Sequence, residues 1–172
     1  MANTYTLISS VTVGSGGAAD IEFTSIPATY TDLLVKYSIR DNNAQVYTAM
    51  TIQFNNSGGT AYSYRMLEGS GSSTRSTNQS SLDKTYGVFT ANGANATANT
   101  FSNGEFYIPN YAGSTHKSIS WDAVTENNGT EAYATLNASL WANTSAITSV
   151  KLACSGTIQE YSTAYLYGIS NA

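Results

Sequence analysis

The sequence is short of charge. It has 7 Lys and Arg against 11 Asp and Glu in 172 residues, 10% of the chain, where a typical globular protein carries about 25%. The balance is acidic, with a net charge of −4 and an isoelectric point near 4.7. That composition excludes a nucleic-acid surface, whose affinity rests on clustered Lys and Arg neutralising phosphates. One cysteine, Cys154, cannot form a disulfide within the chain. One histidine, His116, cannot supply the several ligands of a zinc centre or a histidine-based charge relay. Long apolar runs are also missing. The longest strongly apolar one, Leu33-Leu34-Val35, falls far short of the ~20 residues of a membrane-spanning helix. No basic opening followed by an apolar stretch is seen, so no secretory leader is expected.

What is present compensates. Apolar residues make up 41% and aromatics 12%, too much for a chain that stays disordered. At this length a single domain is expected, able to bury roughly 70% of its unfolded surface. Solvation falls to 23 Ser, 23 Thr, 16 Asn and 14 Gly, which are neutral.

Wherever apolar residues gather, they alternate. Leu33, Val35, Tyr37 and Ile39 form one such set, followed by Met50, Ile52 and Phe54, then Tyr62, Tyr64 and Met66. Further along come Ile119, Trp121 and Ala123, then Leu136, Ala138 and Leu140, then Val150, Leu152 and Cys154, then Tyr165, Tyr167 and Ile169. Strand side chains alternate faces, so each set is expected to be the buried face of a strand. Asn and Gly clusters such as Asn55 to Gly59, Asn92-Gly93 and Asn127 to Gly129 separate these segments, and both residues tolerate the positive φ of tight turns. Pro27 and Pro109 fall at expected strand ends, where a missing N–H costs least. The expectation is an all-β antiparallel β-sandwich, jelly-roll-like, with about nine to eleven strands in one domain spanning 1–172. Gly69 to Ser81 and Ala91 to Thr100 hold no apolar side chain larger than Ala. Both are expected as surface loops, or as segments that order against a partner.

Catalytic chemistry is hard to assemble. Cys154 sits in an apolar alternation and is expected to be a small buried hydrophobe. His116, beside Lys117, is expected at a solvated strand edge. Asp20 and Glu22 share one strand face, which a surface strand explains better than an acid–base pair. Asp122 to Glu131 offers oxygen donors but lacks the ligand spacing of an EF-hand calcium loop, so an acidic hairpin turn is expected. No catalytic, cofactor-binding or metal residues are assigned. The 13 tyrosines raise a carbohydrate reading through Tyr47, Tyr107, Tyr111 or Tyr133, whereas Tyr62, Tyr64, Tyr165 and Tyr167 are expected in the buried alternation.

Two segments and a short link carry a resemblance. IPATYTDLLVKYSIR, from Ile26 to Arg40, the pair AITSVKLACSG from Ala146 and AYLYGIS from Ala164 to Ser170, and IPNYA from Ile108 to Ala112 together resemble small β-sandwich virion structural proteins of tailed phages, marine and cyanobacterial ones included. The resemblance implies a non-enzymatic virion protein, most often a capsid decoration (cement or knob) protein. Its partner would be the capsid protein, with the chain itself a homotrimer, made in the host cytoplasm, binding neither nucleic acid nor membrane. It implies no catalytic or cofactor residues and transfers no partner-contact residues. In the first segment Pro27 and Asp32 are expected to shape the turn into a strand, and Arg40 to pair with Asp41. A reducing cytoplasm suits a lone cysteine, and neutral interfaces lose little to salt. Two rival readings remain: a tail-fibre or receptor-binding module recognising a cell-surface glycan through exposed Tyr or Trp141, and a cytosolic β-sandwich enzyme dependent on His116.

Overall fold

Twelve strands run through the computed structural model, which describes residues 4–170. They are β1 (Tyr5–Thr12), β2 (Ala18–Phe23), β3 (Asp32–Ile39), β4 (Tyr47–Phe54), β5 (Tyr62–Gly69), β6 (Thr74–Leu82), β7 (Thr85–Asn92), β8 (Ser102–Ile108), β9 (Lys117–Val124), β10 (Ala134–Trp141), β11 (Val150–Ile158) and β12 (Thr163–Ile169). All pair antiparallel. One sheet has eight strands in the order β1-β12-β3-β8-β9-β10-β5-β6, and the other has four, β2-β11-β4-β7. The two pack face to face, so the chain is an all-β sandwich, as the alternation indicated.

The core lies between the layers. Val35, Ile39, Ile52, Phe54, Phe106 and Leu152 are fully buried there. Trp121 of β9 crosses to the smaller sheet, where the absent Cβ of Gly87 makes room for its ring. Its indole Nε1 donates to the Tyr37 hydroxyl at 2.8 Å. A second cluster, Tyr64, Met66 and Phe89, sits under the far end of the larger sheet.

Four expectations need correction. Gly69 to Ser81 is mostly strand: β6 starts at Thr74 and runs along β5 as an edge. Its residues are exposed on both faces, so no burial pattern marked it in the sequence. Main-chain pairing and an Arg75–Glu68 ion pair of 2.5 Å hold it. In β10 the phase is reversed: Thr135, Asn137, Ser139 and Trp141 face inward, while Leu136 and Ala138 are exposed and Leu140 half-exposed. In β12 likewise Ala164, Leu166 and Gly168 are buried, and Tyr165, Tyr167 and Ile169 face out. Both faces of β12 are apolar, and the smaller residues suit the packed layer, since the Tyr30 ring lies against Gly168.

Arg40 is the fourth. It makes no ion pair with Asp41. Its guanidinium donates instead to the carbonyls of Ala94 (3.1 Å), Ala96 (2.9 Å), Thr97 (2.9 Å) and Thr100 (2.8 Å). The Ala91 to Thr100 stretch therefore begins as the end of β7 and continues as a loop wrapped on one buried cation. The Asp41 carboxylate accepts from the Asn43 and Gly156 N–H groups. Lys117 is a second buried cation satisfied by main chain. Its Nζ donates to the carbonyls of Gly113 (2.6 Å), Thr115 (2.7 Å) and Ser145 (2.7 Å), beneath the Trp141 ring. Burial pushes both cations below their ordinary pKa. Asp32 opens β3 and clamps the end of β8, accepting from the Tyr107 hydroxyl (2.7 Å) and the Asn110 N–H (2.8 Å).

Candidate docking face

The outer face of the eight-stranded sheet has no layer over it. Antiparallel register lines its side chains into rows that cross the strands. One row passes through Leu7, Tyr167, Leu34, Tyr107, Ser120, Ala138, Arg65 and Asn78. The next passes through Tyr165, Lys36, Glu105, Asp122, Leu136, Leu67 and Ser76. Apolar side chains therefore gather at the two ends of the face. Leu136 and Leu67, directly paired, are 60% and 55% exposed, and Leu7 at the other end is 52% exposed. Tyr5, Val124 and Tyr165 are exposed as well. Single exposed apolar residues need no explanation, whereas several gathered on one uncovered sheet face make that face a candidate interaction surface.

Charge occupies the middle. The Lys36 ammonium meets Glu105 at 2.7 Å with both side chains exposed, and that hydrogen bond raises the lysine pKa. Asp122, next in the row, is held above the ordinary carboxylate range, first by burial and then by the neighbouring Glu105. The centre is thus one ion pair beside an extra carboxyl, flanked by apolar ground on both sides. Such a surface can bury area against a protein while a few charges set its register.

The residues singled out in the sequence do not converge. Among the described residues no three His, Cys, Asp or Glu side chains gather as a cation would require. His116 is exposed before β9, and Cys154 is half-buried on β11 with its thiol pKa pushed up by burial. Asp20 and Glu22 straddle Lys151 at 3.9 and 3.7 Å on the outer side of the smaller sheet, a surface strand face as expected. The Asp122 to Glu131 stretch is the end of β9 and a turn closed on itself, with the Asn127 amide donating to the carbonyls of Thr125 and Glu131. Of the tyrosines read as buried, Tyr62 and Tyr64 are, and Tyr165 and Tyr167 are not.

The proposed aromatic platforms are engaged elsewhere. Trp141 is 1% exposed and its Nε1 donates to Ser57 Oγ at 3.3 Å, so it offers no ring to a glycan. Tyr111 is fully buried. Tyr47 and Tyr133 close around Phe89, with Tyr133 stacked on it at 4.3 Å. Phe89 reaches them from a bulge in β7 with φ +61°. The sequence missed Leu67 and the outward Leu136. The available signal was the polar set Thr135, Asn137, Ser139, which alternates as strictly as the leucines do. No protein-family model, no curated protein and no solved structure matches the chain.

Proposed function

We propose that this protein is a non-enzymatic virion structural protein that decorates a capsid lattice as a homotrimer, docking through the outer face of its larger sheet. The observation behind the docking role is the directly paired, exposed Leu67 and Leu136 at one end of the outer face, with exposed Leu7, Tyr5 and Tyr165 toward the other end. The capsid itself enters through the resemblance of Ile26 to Arg40, Ile108 to Ala112 and Ala146 to Ser170 to phage virion proteins. Strand order supports the finer reading of the fold. The orders β1-β12-β3-β8 and β2-β11-β4-β7 are those of two four-stranded jelly-roll sheets. The hairpins β5–β6 and β9–β10 then extend one sheet past the other. Jelly rolls recur in viral capsid proteins, although a fold alone does not assign a function. A neutral surface of Ser, Thr and Asn keeps such contacts insensitive to salt, and many copies on one lattice hold together although each contact is modest.

Imaging of the intact particle tests this directly. Regular density over the capsid in many copies, with a trimer in native mass spectrometry, is the expected result. Density confined to the tail tip would overturn it.

A further inference from the structure

A second surface shares no residue with the rows of the outer sheet face. Two depressions, about 230 and 290 Å3, meet at Gln159 and Glu160, which line both. Asn99, Phe101 and Tyr161 complete the first of them, with Arg40 at its floor. Tyr161 is the most exposed large hydrophobic side chain among the described residues, at 72%. It sits in the turn Gln159 to Ser162, closed by the Ser162 N–H donating to the Gln159 carbonyl at 3.2 Å. At the third position of that turn Tyr161 has φ +70°, a conformation that selects Gly or Asn. A tyrosine there is strained and, being exposed, recovers nothing by packing. Strain of this kind concentrates at functional sites.

Both walls of the groove hang on Arg40. Its carbonyl accepts from the Gln159 N–H at 2.8 Å, and its N–H donates to Ser162 Oγ at 3.2 Å. Its guanidinium holds the opposite loop by the four carbonyls already described. Tyr161 is fixed in addition by its N–H donating to the Val13 carbonyl at 3.0 Å. The groove is thus ordered in advance, which spares a ligand the entropy of ordering it. Among the described residues, the side chains of Asn99, Gln159, Glu160 and Tyr161 make no hydrogen bond or ion pair, so their polar atoms are free for a ligand.

We propose that this groove binds a neutral oligosaccharide, stacked on the Tyr161 ring and held by Asn99, Gln159 and Glu160. A sugar ring has an apolar C–H face that suits an aromatic plane, and vicinal hydroxyls that both donate and accept. Two amides and one carboxylate match those hydroxyls. An anionic ligand fits poorly, because Arg40 has turned both terminal guanidinium nitrogens to loop carbonyls and Glu160 would repel it. A divalent cation finds one carboxylate where several oxygen ligands are needed.

The test is a glycan array followed by calorimetric titration with oligosaccharides of glucose, galactose and N-acetylglucosamine. Saturable binding is expected, unchanged by salt and retained by Tyr161→Phe. Tyr161→Gly suits the positive φ, so it should melt no lower than the parent yet bind at least about tenfold more weakly. Glu160→Gln should weaken binding with the fold intact. An array without saturable binding, a Tyr161→Gly variant that binds like the parent, or binding abolished by salt would each overturn the proposal.

Discussion

Strands β9 and β10 form one hairpin, yet they turn opposite chemistry to solvent. β9 buries Ile119, Trp121 and Ala123 and exposes Ser118, Ser120 and Asp122. β10, paired to it residue for residue, buries Thr135, Asn137 and Ser139 and turns out Leu136, Ala138 and Leu140. What differs is how each strand meets β7 beneath: Trp121 of β9 lays its ring over Gly87, whereas β10 sends polar side chains to β7. Contacts with β7, the edge of the smaller sheet, cover the inner face of β10. An edge strand leaves main-chain groups without sheet partners, and buried ones must be paired. Asn137 donates to the Tyr86 carbonyl at 2.9 Å, Thr85 and Ser139 share a hydrogen bond of 2.6 Å, and Thr135 donates to the Ala123 carbonyl at 3.3 Å. Polar residues of β10 therefore finish the sandwich where its smaller layer ends. Its leucines do no comparable work for the isolated chain, which is why they are read as docking groups.

The contrast can be broken from either side. Trp121→Ala empties the largest inward site of β9 and removes the bond to Tyr37, so denaturant melts should show a loss of about 3–5 kcal/mol. Asn137→Ala leaves the Tyr86 carbonyl buried without its donor, and the same measurement should show a loss of about 1–3 kcal/mol. A cost for Asn137→Ala as small as that of a surface change would mean the inward polar set does not stitch the layers. Tyr107, on the outer face beside Ser120, tests how firmly the face is fixed. Its hydrogen bond to Asp32, aided by burial, pushes its pKa up to about 12. A raised tyrosine pKa favours the protonated folded state, so its contribution to stability is complete below the ordinary tyrosine value of about 10. It is lost as pH climbs from there toward 12. Several phenols should titrate late because burial raises them too. In an absorbance titration Asp32→Asn should move one of these late transitions, that of Tyr107, back toward the ordinary value.

Much of the fold is legible in alternation. Tyr37, Ile39, Met50, Phe54, Tyr62, Trp121 and Leu152 all lie on the faces their spacing indicates. Alternation fails where the two faces do not differ in the usual sense. β12 is apolar on both sides, so period alone cannot choose, and packing against Tyr30 selects its glycine side. β10 is inverted because Asn137 answers a carbonyl of β7, a demand set 51 residues away, while Ser139 meets the Thr85 hydroxyl on the same strand. β6 has no buried face and is defined by pairing alone. The buried cations are invisible for a similar reason: Arg40 and Lys117 bind carbonyls, which every residue possesses, so no partner residue type announces them. The exposed face of β5 and β10 was hidden by its own leucines, which read most simply as core.

Binding of added protein to particles stripped of it, compared between the parent and the double variant Leu67→Asn with Leu136→Asn, goes to the heart of the matter. Both leucines are exposed, so the variant should keep its melting behaviour to within about 0.5 kcal/mol. A docking face requires that this folded variant bind at least about tenfold more weakly than the parent. Equal binding by the two would contradict it, and would return the leucines of β5 and β10 to the ordinary apolar scatter of a protein surface.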